Sequence, residues 1–190
     1  MKGDTLKKLR MIAHIKSGLP SSLAPECLKV FSLDVSVLDA YVAGLFVVRE
    51  LWLEEDSLDD ETLLDYLAYT DGFIQKVGSE MGLPVEVIDD LKSSVLKSAD
   101  KIGLLENDIA GLISATALDD KQSTGEKKVF SLAFAFVRDV VTIIDFKNLH
   151  PNSTREFVQV VADIVGLKTQ EKKVLYAVFK NSSVNGFAEN

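Results

Sequence analysis

The feature that most constrains the fold is a long stretch that would be apolar on nearly every face of a helix. Between Val37 and Leu53 the charged residues are Asp39, Arg49 and Glu50 alone. A helix with apolar residues all round, rather than in one stripe, has to be covered by other elements. We therefore predict a buried central helix over Ser36–Glu55.

A second long apolar helix is predicted over Glu126–Phe146. Most remaining segments show helical spacing between capping residues and glycine stops. Phe157–Val165 and Val174–Phe179 are rich in β-branched residues, but they lack the two-residue alternation of strands. The expected fold is all-α: a compact multi-helix bundle of about seven to nine helices around the two long apolar helices.

Caps and linkers divide the chain into segments within one compact domain. The polar run DDKQSTGE is the clearest linker, Gly103 is expected to break the helix that follows Pro84, and Ser153 with Glu156 has capping-box spacing. The predicted segments are a basic N-terminal helix with a short helix (1–33), a first helical half (34–118), the linker (119–126), a second helical half (127–181) and a frayed tail (182–190).

The two halves echo each other in order though not in spacing. Arg49 and Arg138 lie in the long helices, and each is followed by a helix and then by Gly82-Leu83 or Gly166-Leu167. Two explanations stay open: a pseudo-duplicated pair of helical repeats, or the ordinary reuse of caps and Gly-Leu turns.

Charge is unevenly distributed along the 190 residues, which carry a formal net charge of −8. Residues 1–18 carry a net +4, and Leu6, Leu9, Ile12 and Ile15 recur among the basic residues every third position. This basic segment has three open interpretations: it docks on the acidic body, touches a membrane surface, or only keeps its helix soluble. The acidic balance argues against a general nucleic-acid binder.

The acidic residues concentrate after the central helix. Nine carboxylates lie between Glu50 and Asp71, and no Lys or Arg occurs from Glu50 through Gln75. They would serve as helix-dipole charges at a solvated junction, as a partner-binding surface, or as ligands of a hard cation. The residues predicted to bind a partner are Glu54, Glu55, Asp56, Asp59, Asp60 and Glu61.

Residues for catalysis are scarce. His14 and His150 are the only histidines, and Cys27 is the only cysteine. None of the three has a metal-ligating or catalytic partner at a recognisable spacing. No phosphate-binding glycine loop or nucleophile elbow is present. We expect no enzyme, no metal site, no cofactor and no membrane span, and the single cysteine favours the cytoplasm.

Arg49 and Arg138 are charges inside apolar helices. A buried guanidinium needs a partner, because leaving it unpaired costs several kcal/mol (about 3–5). Adjacent residues on a helix do not face each other, so we predict that each arginine meets a carboxylate from another helix.

The layout of the second half resembles the TerB-like tellurite-resistance family. The resemblance rests on Ile144-Asp145, Leu149-His150-Pro151, Glu156 and Val165-Gly166-Leu167. It implies an all-helical stress-response module that binds a divalent cation through acidic loops. The family has an Asp-Gly pair where this chain has Asp145-Phe146, so the acidic loop is not matched.

These observations lead to a non-enzymatic acidic helical interaction module that binds a basic protein surface, as an inhibitor, an immunity protein or an adaptor. The alternatives are a TerB-like cation binder and a carrier of an apolar ligand, the latter suggested by Phe130 and Phe134 one turn apart. An exposed apolar face on either long helix would favour a homodimer.

Overall fold

The computed structural model describes residues 35–55, 57–115, 132–145 and 151–181, and every regular element in these ranges is a helix. The all-α class is therefore confirmed for the described chain. The seven described helices are α1 (Val35–Glu55), α2 (Asp60–Glu80), α3 (Val85–Lys97), α4 (Lys101–Gly103, the π-helical turns Leu104–Ile109, and Ala110–Ala115), α5 (Leu132–Ile144), α6 (Pro151–Ile164) and α7 (Thr169–Asn181).

Helix α1 lies at the centre, in contact with α2, α3, α4 and α5. Tyr41, Val42, Leu45 and Val47 are completely buried although they point in different directions around the helix. The reason is the apolar pattern itself, because each face of α1 gains free energy by contacting a different neighbour.

Helix α5 is the most apolar partner of α1, and between Leu132 and Ile144 only Arg138 and Thr142 are incompletely buried. Within the described chain it has 13 residues, fewer than predicted: Asp145 is no longer helical, and residues 126–131 and 146 lie outside the described ranges. The rings of Tyr41 and Phe136 meet edge to face at 5.3 Å. Aromatic pairs favour this geometry, which orients α5 on α1.

Two Gly-Leu turns reverse the chain with the same geometry. Gly82 and Gly166 have φ angles of 90° and 73°. In each turn the leucine N–H donates to a carbonyl five residues earlier, Leu83 to Gly78 and Leu167 to Ala162, both at 2.9 Å. This is the Schellman pattern, which requires the left-handed conformation that glycine adopts without strain. The first turn redirects the chain from α2 into α3, and the second redirects it from α6 into α7.

The predicted break at Gly103 is wrong. Helix α3 ends at Lys97, and α4 starts soon after, with Gly103 inside its first turn. The side chain of Asp100 accepts a hydrogen bond from the Gly103 N–H at 2.8 Å. A capping aspartate therefore starts the helix there and outweighs the low helix propensity of one glycine.

The predicted capping box of Ser153 and Glu156 is also wrong, because α6 begins at Pro151 and Ser153 lies within it. Proline suits the first turn of a helix, where its missing N–H is not needed. Several predictions fall outside the described residues: the basic N-terminal helix, Cys27, His14, His150, Asp56, the linker 119–126 and the tail 182–190. None of the described helices has the length and apolarity that crossing a membrane requires.

Candidate functional site

An open groove of about 490 Å³ lies where the end of α1 meets the start of α4 and the middle of α6. Its apolar lining includes Trp52, Ile102, Phe157 and Val160, and its acidic lining consists of Glu54, Glu55, Glu106 and Glu156. We call this feature the acid-rimmed groove. It combines side chains from three helices that are far apart in sequence.

The apolar part of the groove contains both buried and exposed side chains. Trp52 is buried and packs edge to face against Phe157, with ring centroids 5.3 Å apart. Beside this pair, Ile102 is 56% exposed and Val160 is 57% exposed. Exposed aliphatic side chains next to an aromatic wall form an apolar surface that a ligand can cover, with a gain of roughly 25 cal/mol per Å² of apolar area buried.

The acidic part consists of four exposed glutamates. Glu54 lies 3.6 Å from the ammonium group of Lys101. Glu55, Glu106 and Glu156 make no ion pair with any residue that the structure describes. Lys101 offsets part of the charge of Glu54, and the other three glutamates beside the apolar surface create a negative potential that attracts a cation and repels an anion.

The predicted acidic run divides between two locations. Glu54 and Glu55 line the acid-rimmed groove, whereas Asp59 precedes α2 and Asp60 and Glu61 occupy its first turn. At a helix N-terminus, carboxylates are stabilised by the helix dipole. The structure therefore gives these three residues a local role in helix α2.

Asp59 is the N-cap of α2. Its carboxylate accepts hydrogen bonds from the backbone N–H of Thr62 at 2.8 Å and from the Thr62 hydroxyl at 3.0 Å. Because these bonds favour the charged form, they hold the pKa of Asp59 below its ordinary value of 3.8.

A depressed pKa predicts how Asp59 affects stability across pH. Its contribution is present above the unfolded-state pKa and is lost as the pH falls through the lower pKa of the folded state. Asn also caps helices well but does not titrate. At neutral pH we expect a higher melting temperature for wild type than for Asp59→Asn. We expect this difference in melting temperature to shrink below pH 3.8. If thermal melts gave the same difference in melting temperature at neutral pH and well below pH 3.8, this assignment would be contradicted.

Sequence reasoning missed Glu106 and Glu156 as members of the same site. They lie 50 residues apart on α4 and α6, and no local pattern links them to Trp52. The one signal available was the amphipathic spacing of α6, which predicts that Glu156 lies on an exposed polar face. Only tertiary packing brings the four glutamates together.

Arg49 forms a second polar feature, in the interior. It is only 1% exposed, its guanidinium binds the carboxylate of Asp71 on α2, and it also bonds Glu50 at 2.8 Å. Asp71 in turn binds Lys92 of α3 at 2.6 Å, and Arg49 lies 5.2 Å from the ring centre of Phe46. The pairing with Glu50 differs from the expectation that adjacent residues do not meet, because the long arginine side chain bends toward its neighbour.

A cavity of about 500 Å³ opens beside this cluster, with leucines from α1, α2 and α3 in its wall. Its charged lining residues are two cations, Arg49 and Lys92, and two anions, Glu50 and Asp71. The charges balance and are paired with one another, so the cluster offers no net charge to a ligand. Its geometry indicates an ion-pair network that joins three helices.

Arg138 has a different environment. It donates to the hydroxyl of Thr142 at 3.0 Å, one turn along α5. Burial lowers the pKa of Arg138, while the carboxylates of Asp139 and Asp145 act in the opposite direction. Tyr41 donates a hydrogen bond to Asp139 at 2.7 Å across the α1–α5 contact. These contacts describe a partly buried polar strip along α5.

Among the described residues, no three His, Cys, Asp or Glu side chains gather in a way that could hold a metal ion. The acid-rimmed groove combines exposed apolar side chains, a concave shape and negative charge. The chain matches no known family model, and neither a curated protein nor a solved structure is significantly similar to it.

Proposed function

We propose that this protein is a non-enzymatic interaction module that binds a basic amphipathic segment of a partner protein in the acid-rimmed groove. The observation that carries the proposal is the joint exposure of Ile102 and Val160 in a groove that four glutamates also line. An apolar surface alone would suit many ligands, and an acidic surface alone would suit none in particular. Their combination favours a segment with an apolar face and basic flanks.

The dimensions of the groove suit side chains from one helix. About 490 Å³ accommodates a few apolar side chains, and an amphipathic helix presents such anchors at i, i+3, i+4 and i+7. The anchors would cover Ile102, Val160 and the edge of Phe157. Lysines and arginines beside the anchors would then lie over the glutamates.

The two parts of the groove contribute differently to recognition. Apolar contact supplies affinity, whereas charge complementarity speeds association and rejects acidic competitors. The acidic body of a second copy is a poor occupant, because residues 19–190 carry a net charge of −12. The partner is therefore a different and basic protein, for which this chain would act as an inhibitor, an immunity protein or an adaptor in the cytoplasm.

A peptide titration tests the proposal. The probe is a synthetic Leu/Lys peptide with leucines at helical spacing, and its comparison is a scrambled peptide of the same composition. Trp52 is the single tryptophan of the chain and lines the groove, so its fluorescence reports occupancy. We expect the helical peptide to change Trp52 emission and to bind about tenfold more tightly than the scrambled peptide, a difference of about 1.4 kcal/mol.

Charge reversal at the rim supplies the matched comparison. Glu55→Lys with Glu156→Lys replaces two negative rim charges by positive ones. In a chain that also carries Lys7→Glu and Arg10→Glu, so that its own basic residues do not compete for the groove, this change is expected to weaken binding of the helical peptide about tenfold. Asp89→Lys with Asp90→Lys, at exposed positions of α3, changes the net charge equally and should leave the affinity nearly unchanged. Equal weakening by both variants, or equal binding of both peptides, would contradict a specific groove.

A further inference from the structure

The acidic groove and the basic segment of the same chain have complementary chemistry. The groove is lined by four glutamates and by apolar side chains. Residues 1–18 carry a net +4, with Leu6, Leu9 and Ile12 at three-residue spacing among lysines and an arginine. This pattern is the ligand chemistry that the groove is proposed to recognise.

We propose that residues 1–18 bind the acid-rimmed groove of their own chain and so compete with the external partner. The inference rests on the proposed function of the groove and adds its regulation. Leu6, Leu9 and Ile12 act as the apolar anchors, while Lys7 and Arg10 face the glutamates. The partner gains access when it displaces this segment.

The connecting chain is long enough. Trp52 lies 17 residues beyond Val35, the start of α1, which is roughly 26 Å along a helix at 1.5 Å per residue. Residues 19–34 would span up to roughly 50 Å if extended at about 3.3 Å per residue. With a helix over residues 25–32, as the sequence predicts, the reach is still roughly 38 Å.

Other segments outside the described ranges are poorer candidates. Residues 116–131 contain three lysines and three acidic residues, so their charge is balanced. Residues 182–190 contain no Lys or Arg and one Glu. Residues 1–18 alone combine a clear positive charge with regularly spaced apolar side chains.

Tethering makes even weak binding effective. A short flexible connection gives an effective concentration on the order of 1 mM. A segment that binds with a dissociation constant of about 100 μM would then occupy the groove in roughly nine of ten molecules. An external ligand would be weakened about tenfold, because it binds only the open form.

The first test uses the full chain and Trp52 as a proximity sensor. Cys27→Ser with Thr5→Cys allows one nitroxide label, a short-range quencher of tryptophan emission, to be placed in the basic segment. We expect the labelled chain to lose most of its Trp52 emission at low salt and to regain it at 1 M salt, where the Debye length is about 3 Å. Equal emission from labelled and unlabelled chains would overturn the inference.

Matched variants identify the docking surface. In the labelled chain, Glu55→Lys with Glu156→Lys should restore Trp52 emission, and Asp89→Lys with Asp90→Lys should not. If quenching persists in the rim variant, the segment binds elsewhere and the inference fails.

The second test separates this inference from the proposed function. Lys7→Glu with Arg10→Glu should tighten binding of the Leu/Lys peptide about tenfold, whereas Lys76→Glu with Lys97→Glu, at exposed positions, should not change it. Equal peptide affinity in both variants overturns self-docking and leaves the groove as a binding site. No peptide binding to the Lys7→Glu/Arg10→Glu chain contradicts the proposed function itself.

Discussion

Replacing Arg49 by alanine is expected to lower the free energy of unfolding by about 3 kcal/mol, the low end for breaking a buried ion pair. The side chain is 1% exposed and joins Glu50 and Asp71, which are 18% and 35% exposed. Alanine would leave two carboxylates close together without their shared cation, and it would leave an unfilled space against Phe46. Partial solvation of Asp71 keeps the loss at the low end of the range.

Lys92→Ala is the matched control for this prediction. Lys92 binds the same carboxylate at 2.6 Å but is 32% exposed, so its loss should cost less than about 1 kcal/mol. Thermal melts should show a decrease of about 6–12 °C for Arg49→Ala, at 2–4 °C per kcal/mol for a domain of this size. If the two variants were equally stable, the network would not stabilise the contacts among α1, α2 and α3.

Gly44→Ala is expected to destabilise the protein by about 2 kcal/mol, within the usual cost of overpacking a core. An added Cβ at position 44 would lie 2.8 Å from Cε2 of Phe136 and 2.9 Å from Cγ2 of Ile109. Both neighbours are buried in the contact of α1 with α5 and α4, so neither can retreat into solvent. Glycine therefore permits the close approach on which the central packing depends.

Gly72→Ala provides a comparison of opposite sign. Gly72 lies in α2, and an added Cβ would have no atom within 4 Å. Alanine should stabilise the helix there by roughly 0.5–1 kcal/mol, because it loses less conformational freedom than glycine. Denaturant unfolding of both variants measures the difference directly. Stabilisation by alanine at both positions would show that Gly44 is not a close-packing position.

Local patterns in the sequence were sufficient to predict the helical class. The all-round apolar spacing of Val37–Leu53 predicts burial of α1, and Gly82 and Gly166 predict the turns that the structure contains. These signals act over a few residues, so they can be read without knowledge of the fold. The error at Gly103 arose where two local signals compete and the Asp100 cap outweighs the glycine.

The candidate site could be predicted only in part. Glu54 and Glu55 were assigned to a partner surface, and they line the groove. The contributions of Glu106, Val160 and Ile102 depend on how α4 and α6 pack beside α1. A single sequence does not record that packing, because no spacing along the chain relates these residues.

The two proposals together describe a module whose binding surface would be regulated by its own chain. At rest, residues 1–18 would cover the exposed aliphatic side chains, which would otherwise favour association with unrelated proteins. A partner with a longer apolar face, or with more positive charge, would displace them. Both proposals depend on the acid-rimmed groove as the place of contact.

Chemical-shift mapping of the full Lys7→Glu/Arg10→Glu chain tests that claim most directly. Backbone amide signals would be followed during titration with the helical Leu/Lys peptide and with its scrambled form. We expect the largest changes for residues 51–55, 102–106 and 156–164, which surround the groove, and only small changes with the scrambled peptide. Changes centred on the acidic start of α2, at residues 59–65, or spread evenly over the surface, would contradict the account.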